Sequence, residues 1–415
     1  MAWCFVIISV FSDIPDNFMH LSRKLFSRIF CALAVVALAV LTSCGGGNNS
    51  SSTPPTSKFK NRVLAMESFF GRVAIVNADN DLVWPATISV LTNSDGLVLS
   101  PDKANTYVFG STVQSIRRIV NSTETLDNFS ITVPAGINSF GVLSGNATGV
   151  AASRNAPVTG SPIGAVLLLD FTNQNITATI PVAEARRVVL NHANSKVLAF
   201  ADDTDSFYVI DTTAKTATPI TNAAKLSRPV GAVFSTDDSK AYILNCGAEC
   251  GGTTASVTVF NTADSTLGAT IPVSGATVGL LDGSKLYVAG SANNVGLLDV
   301  VDTSAMTRTQ SGISISNGTH NLMALADGGN LYIGAINCSN VNGGCLTTYP
   351  TSGQTATVSS VIGDVSAIQP VAGRGLVYVG IGGDFKIYET STNAPRATGQ
   401  INVLGNVTAI MAIDK

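Results

Sequence analysis

Charged side chains are scarce in this chain of 415 residues. They make up 12% of it, against about a quarter in a typical soluble domain. A membrane protein could have this composition, but no apolar run of the ~20 residues that a spanning helix needs follows position 45. Strands buried on both faces also lack charge, because neither face meets water. The net charge is −3. The composition therefore gives no sign of the basic surface that a nucleic-acid partner would need.

Motifs that carry chemistry are missing as well. The chain has three histidines and contains no G-x-S-x-G, no H-E-x-x-H, no nucleotide-binding loop and no Cys-x-x-Cys-His. No D-x-D-x-D-G pattern supplies the oxygen ligands of a calcium loop. These absences assign no catalytic residue, no metal and no cofactor, and they favour a protein that binds over one that catalyses.

The N-terminus has the order of an export signal. A basic segment, Met19–Arg28, precedes the apolar run Ile29–Leu41 and then Leu41-Thr42-Ser43-Cys44. This order resembles the signal peptide and lipobox of bacterial lipoproteins, which implies cleavage before Cys44 and a diacylglycerol on its thiol. The alternative is an uncleaved membrane anchor in which Cys44 is incidental.

The sequence then divides into four segments. They are residues 1–18, 19–43, 44–60 and 61–415. The first fits no export pattern, so we interpret it as an upstream extension and expect translation to start at Met19. The second is the signal peptide. The third holds the lipidated cysteine and a flexible linker with an r.m.s. reach of roughly 20 Å. Gly45, in place of an aspartate, implies by the same resemblance an outer-membrane location, on either face.

A unit of four short strands, A to D, repeats along the last segment. Pro229–Val273 shows it best, with four apolar runs separated by clusters of Ser, Asp, Asn and Gly. Seven complete units lie between Leu97 and Val403, while Gly405–Lys415 supplies one strand and Arg62–Val90 three. This predicts an all-β fold, a β-propeller of eight four-stranded blades whose C-terminal strand completes the first blade. Seven blades of about 50 residues each are the alternative.

The repeat resembles the YVTN-type β-propeller repeats of bacteria. Their core, roughly S-P-D-G-x-x-L-Y-V-A-N, is similar to Leu281–Gly290 (LDGSKLYVAG) and to Phe234–Asn245 (FSTDDSKAYILN). A following strand that ends V-I-D-T is matched by Tyr208–Thr212. The resemblance implies a propeller and an extracytoplasmic location. It implies no particular activity, because such propellers have many functions.

Four cysteines of the propeller segment form two close pairs, Cys246 with Cys250 and Cys338 with Cys345. Both pairs lie in B-to-C connections. In an exported protein, two local disulfides are the economical interpretation. A zinc site built from all four cysteines is the alternative.

Elaborated loops point to one face for binding. B-to-C and D-to-A connections share a face of a propeller, and both cysteine loops and the long loop Ser153–Gly164 belong to this group. Long loops on a rigid scaffold are where binding usually occurs. Five polar residues are the candidates on this face: Asp202, Asp203, Asp205, Asn245 and Asn337. The three aspartates could hold a cation, although a solvated turn is the simpler interpretation.

The central channel is a second place for a site. Its candidates, near the ends of strands A, are His192, His320, Asn138 and Asn321. We therefore weigh three functions for an expected monomer. The first is a lipid-anchored binding module for an unknown protein, peptide or glycan. The second is a lactonase-like hydrolase or a dehydrogenase that works in the channel. The third is a structural protein of the cell envelope.

Overall fold

The computed structural model describes residues 56–339, 343–353 and 355–414. The predicted extension, the signal peptide and Cys44 lie outside the described residues. Within them the chain forms 32 strands and one 3-10 turn, Gly247–Cys250. None of the helical structure in these residues is long and apolar enough to cross a membrane.

Eight antiparallel sheets of four strands each form the blades. Blade one consists of β32 (Val407–Ala412), β1 (Arg62–Glu67), β2 (Arg72–Asn77) and β3 (Leu82–Ser89), and blade two of β4 (Gly96–Leu99), β5 (Asn105–Phe109), β6 (Ser115–Val120) and β7 (Thr125–Thr132). Blade three consists of β8 (Ser139–Val142), β9 (Thr148–Ser153), β10 (Ala165–Asp170) and β11 (Asn175–Pro181), and blade four of β12 (Ala185–Leu190), β13 (Val197–Ala201), β14 (Ser206–Asp211) and β15 (Thr216–Thr221). Blade five consists of β16 (Pro229–Phe234), β17 (Lys240–Asn245), β18 (Ser256–Asn261) and β19 (Thr266–Pro272), and blade six of β20 (Val278–Asp282), β21 (Lys285–Ala292), β22 (Val295–Asp302) and β23 (Thr307–Ile315). Blade seven consists of β24 (Thr319–Ala326), β25 (Asn330–Ile336), β26 (Leu346–Pro350) and β27 (Thr357–Val358), and blade eight of β28 (Val365–Val371), β29 (Leu376–Ile381), β30 (Asp384–Glu389) and β31 (Ala394–Pro395).

The predicted ring closure is confirmed. In each blade the strand given first is strand A, and the eight strands A contact one another in a ring around the channel. In blade one strand A is the C-terminal β32, which pairs antiparallel with β1, Leu64 opposite Met411. The count is eight blades, and the alternative of seven is wrong. Because the last strand pairs with the first blade, no sheet edge is left open at the junction.

Burial explains the low charge of the chain. The middle strands B and C are covered on both faces, as in β9 (TGVAAS) and β10 (AVLLLD), whereas the outer strand β23 is mostly exposed. Eight buried apolar clusters lie between the blades, one at each interface. At the interface of blades two and three the rings of Tyr107 and Phe171 stack 4.5 Å apart. Blade packing therefore needs apolar side chains on both sides of each sheet.

Ionic contacts fasten the region where the two ends of the propeller segment meet. Asp81, in the C-to-D turn of blade one, accepts hydrogen bonds from Arg374 at 2.6 Å and from Arg396 at 2.8 Å. Both arginines belong to blade eight. Asp414, directly after β32, is bound by the Arg62 guanidinium at 2.6 Å. These contacts join residues that are about as far apart in sequence as the propeller allows.

The two faces of the ring differ. We call the face with the B-to-C and D-to-A connections the loop-rich face, and the face with the A-to-B and C-to-D turns the short-turn face. The described chain begins at the short-turn face. There Ser57 donates two hydrogen bonds of 2.5 Å to the carboxylate of Glu124, in the C-to-D turn of blade two. Contacts with the propeller thus begin at Ser57, within the segment interpreted as linker.

Candidate functional site

A cavity of about 190 Å³, here called the mouth cavity, lies at the loop-rich end of the channel. It is built where the strands A of blades four to seven begin. Arg187 comes from β12, Val230 from β16, and His320 and Asn321 from β24. Cys250, in the disulfide loop of blade five, lines it as well. The mouth cavity therefore brings together residues that lie more than 130 positions apart in the sequence.

A second cavity, the channel cavity, has a volume of about 540 Å³. Its walls are mainly apolar side chains from strands A, among them Val98, Phe140, Val188, Leu322 and Met323. Arg187 and Asn321 line both cavities. These two polar residues therefore lie where the mouth cavity meets the channel cavity.

His320 is the buried histidine of the site. Its side chain is 1% exposed, and its Nε2 lies 2.9 Å from the carbonyl oxygen of Ser316. Because a carbonyl only accepts, Nε2 carries the proton and donates. The other ring nitrogen, Nδ1, is buried and has no hydrogen-bond partner among the described residues. Burial opposes the charged ring and lowers the pKa of His320 to about 4, so the ring is a neutral acceptor near pH 7.

Asn321 also has an unused acceptor. Its Oδ1 is buried and finds no partner in the part of the chain that the structure describes. The residue sits at a bulge, where the register of β24 against β25 shifts between His320 and Leu322. The extra residue of a bulge redirects its side chain. Buried polar groups are normally satisfied, so Oδ1 of Asn321 is available to accept a hydrogen bond from a bound molecule.

Arg187 is the cation of the channel. Burial, and then the neighbouring Arg186, lower the pKa of its guanidinium, and no acid in the described residues pairs with it. A β-carbon at Gly231 of blade five would lie 3.0 Å from its Nη1, so the side chain lies against a backbone that has no side chain there. Arg187 therefore lines the channel, whereas its neighbour Arg186 has a side chain that is 62% exposed.

Asp202 is the one acid in the lining of either cavity. Its Oδ2 lies 3.1 Å from Nε of Arg154 and 3.2 Å from Nη1 of Arg186. Arg154 also lies 3.3 Å from Glu184, so two carboxylates balance Arg154 and Arg186, and neither pairs with Arg187. Because Asp202 already pairs with two arginines, its carboxylate is poorly suited to bind a cation. Within the described residues no three His, Cys, Asp or Glu side chains converge as metal ligands would.

The other aspartates of this loop lie outside the cavity. Asp203 is exposed in a turn with φ of 55°. Asp205 is exposed too, and its Oδ1 accepts a hydrogen bond of 2.9 Å from the backbone N–H of Arg228. Asp205 therefore ties blade four to the connection that enters blade five.

The two candidate asparagines at the cysteine loops differ in position. Asn245 is fully buried, and its amide donates to Ser256 Oγ at 3.1 Å and to Thr258 Oγ1 at 3.0 Å. All of its side-chain bonds are internal, so Asn245 holds the blade together and presents nothing to a ligand. Asn337 is exposed, with φ of 57°, and its backbone N–H donates to Asp364 at 2.7 Å.

The two disulfides are confirmed, Cys246 with Cys250 and Cys338 with Cys345. Both lie on the loop-rich face, and the first borders the mouth cavity. Its loop is held further by Glu249, which accepts a hydrogen bond of 2.7 Å from the backbone N–H of Ser291 in blade six. The rim of the cavity is therefore pinned covalently and across blades.

The remaining channel candidates do not reach the mouth cavity. His192 lies in the A-to-B turn of blade four, on the short-turn face, where its Nδ1 is 2.7 Å from Asp238. Asn138 lies on the loop-rich face and its Oδ1 accepts a hydrogen bond of 3.0 Å from the N–H of Arg154. The two histidines thus stand at opposite ends of the ring, and only His320 and Asn321 belong to one site.

Exposed apolar side chains also favour the loop-rich face. Among the large hydrophobic residues that the structure describes as exposed, six lie at this face, five in connections and Val295 at the start of β22: Phe69, Phe70, Ile163, Val295, Ile362 and Leu404. On the short-turn face Leu82 is the one comparable residue in the described ranges. Phe69 and Phe70 pack edge to face, 4.9 Å between ring centroids. Phe69 and Phe70 therefore form one small apolar patch, and apolar patches are typical of surfaces that contact other molecules.

Comparison with known proteins supports the class and goes no further. No family model and no curated protein matches the sequence. The chain is similar in structure to the dihydro-heme d1 dehydrogenase NirN in complex with DHE, with a TM-score of 0.66 and 12% identity over 87% of this chain and 77% of that one. It is also similar to the β-propeller domain of Cps50 (Swd1) of Myceliophteria thermophila, with a TM-score of 0.51 and 10% identity over 70% and 94% of the two chains. At such identities the likeness shows the fold alone. The protein is an eight-bladed β-propeller.

Proposed function

We propose that this protein is a lipid-anchored, extracytoplasmic binding module whose loop-rich face docks another protein. The observation that carries the proposal is the gathering of the exposed apolar side chains on that face. Isolated apolar residues are normal on a protein surface. Six on one face and one on the other is an uneven distribution, and apolar groups at the centre of an interface are what drives association.

The place where the described chain begins also supports docking at the loop-rich face. Thr56 lies 12 positions after Cys44, and Ser57 is held at the short-turn face. The chain that leads to Cys44 therefore meets the propeller at the short-turn face, and an anchor attached there would leave the loop-rich face free for a partner.

A photo-crosslinker tests the docking face. The benzophenone side chain is placed at Leu404, which is 68% exposed on the loop-rich face, or at Leu82, which is 56% exposed on the short-turn face. In intact cells we expect a discrete adduct from position 404 and none from position 82. Excess unlabelled protein should suppress the adduct, and the Phe69→Ser/Phe70→Ser variant should not. Equal adducts from both positions would refute the proposal. An adduct with a second copy of the chain would favour a structural envelope protein instead.

Catalysis in the channel is the second candidate function. His320 favours it, because a neutral, buried ring with a free Nδ1 is suited to accept a proton. NirN, one of the similar structures, is described as a dehydrogenase. Turnover of lactones, or transfer of electrons to an artificial acceptor, would have to disappear in His320→Gln. Turnover that survives this substitution would exclude the histidine from catalysis.

A further inference from the structure

We propose that the channel binds a small organic acid with an apolar body and a hydrogen-bond donor next to its carboxylate. An N-acyl amino acid has this chemistry. The carboxylate would lie on Arg187, the donor at His320 and Asn321, and the apolar chain in the channel cavity. This inference goes beyond the docking of a protein on the loop-rich face and does not depend on it.

The first support is the charge of the channel. Arg187 is unpaired in the described residues, whereas the one acid of the lining is shared by Arg154 and Arg186. A cation removed from bulk water without a counter-ion is costly. A planar carboxylate suits a guanidinium particularly well, because it accepts two parallel hydrogen bonds.

The second support is the pair of unused acceptors. Nδ1 of His320 and Oδ1 of Asn321 are both buried without a partner in the described residues, and both residues line the mouth cavity together with Arg187. An acceptor needs a donor, so a ligand that satisfies them carries an N–H or O–H. An anion without a hydrogen-bond donor, such as acetate, would leave these acceptors unsatisfied.

The third support is the shape of the space beyond. The channel cavity of about 540 Å³ falls in the size range of small-molecule sites, about 300–1,000 Å³. Its walls are mostly apolar, and the polar residues that it shares with the mouth cavity are Arg187 and Asn321. This arrangement fits an amphipathic molecule with its polar end towards the mouth.

Calorimetry with matched ligands tests the proposal. The propeller closes on itself within the described residues, so the protein from residue 44 onward is used, with Cys44→Ala to prevent acylation. The ligands are N-octanoylglycine, its methyl ester, which lacks the charge, and N-octanoylsarcosine, which lacks the N–H. We expect the acid to bind at least tenfold more tightly than the ester, and roughly threefold to tenfold more tightly than the N-methyl compound. Equal affinities for the acid and the ester would overturn the proposal.

Variants assign the effect to one arginine. Arg187→Met should abolish the preference for the acid over the ester, and Arg187→Lys should retain part of it, because the charge remains without the planar donors. Arg186→Met is the control, since that guanidinium is already engaged by Asp202. A loss of the preference in Arg186→Met as large as in Arg187→Met would also overturn the proposal. So would displacement of the acid by equimolar phosphate.

The outcome is separable from that of the docking experiment. The acid binds inside the channel, and the crosslinker at Leu404 reports on the outer surface. If the native protein fails to bind the acid while the adduct persists, the ligand assignment alone is wrong. If the acid binds and no adduct forms, the docking proposal alone is wrong.

Discussion

The contact that closes the ring offers a direct test of the fold. Asp81 is 8% exposed and accepts hydrogen bonds from two arginines of blade eight, each 25% exposed. Tyr378 donates a third at 2.5 Å. Asp81 has a φ of 64°, which asparagine also tolerates. Asp81→Asn therefore removes the charge with little change of shape. It leaves Arg374 without its counter-ion and Arg396 with Glu389 alone, 3.3 Å away.

The expected loss follows from the burial. Removing one partner of a buried ion pair costs about 3–5 kcal/mol, and the partial exposure of the arginines reduces this to about 2–3 kcal/mol. The described range from 56 to 414 covers about 350 residues, which gives an unfolding entropy of ~0.75 kcal/mol/K at about 2.1 cal/mol/K per residue. The melting temperature should therefore fall by roughly 3–4 °C if the ring unfolds as one unit.

The effect should depend on pH in a defined direction. Burial raises the pKa of Asp81, but the hydrogen bonds from Arg374, Tyr378 and Arg396 outweigh it, and the net pKa is lowered. A carboxyl with a lowered pKa stabilises the fold above its unfolded pKa of about 3.9 and loses this contribution as the pH falls through the folded value. The gap between wild type and Asp81→Asn should be constant near pH 7 and narrow below about pH 4.

Differential scanning calorimetry at neutral and acid pH measures both effects. Asp79→Asn is the control, because it makes the same charge change in the same turn on an exposed residue. It should leave the melting temperature nearly unchanged. An Asp81→Asn protein that melts with the wild type, or a loss of the same size in Asp79→Asn, would refute the view that these ion pairs hold the first and last blades together.

Three further predictions concern the site and the anchor. His320 binds a proton near pH 6.5 in the unfolded state, whereas in the folded state it binds one only at about pH 4. The free energy of unfolding should therefore fall by about 3 kcal/mol as the pH is lowered from 6.5 to 4. Denaturant titrations of His320→Gln should show a flatter dependence of stability on pH. Gly296→Ala should lower the free energy of unfolding by about 1–3 kcal/mol, because its β-carbon would lie 1.7 Å from the Ser316 carbonyl oxygen, next to His320. Gly268→Ala is the control, since its β-carbon would meet its nearest atom at 3.3 Å. Thermal melts of both variants measure the difference. Palmitate labelling of the full chain should be lost in Cys44→Ala, and labelling that persists would contradict the predicted anchor.

The sequence by itself determined the plan of the fold. Strand patterning, turn residues and the leftover pieces at both ends led to eight blades and to closure by the last strand. These features are local, because each strand is a short apolar run of its own and each turn has its own polar or glycine residues. The disulfides could be predicted from the sequence for the same reason, since the cysteines are 4 residues apart in the first pair and 7 in the second.

Only the tertiary structure decided which residues share a site. His192 and His320 both flank strands A, but one follows its strand and the other begins it, so they lie on opposite faces. Arg186 and Arg187 are neighbours in sequence at a bulge in β12 between Ala185 and Arg187, but Arg186 is 62% exposed and paired with Asp202, whereas Arg187 lines the channel cavity. One residue of register reverses the side to which a strand presents its side chain. Local sequence patterns do not reveal such a bulge, nor which distant blade lies opposite.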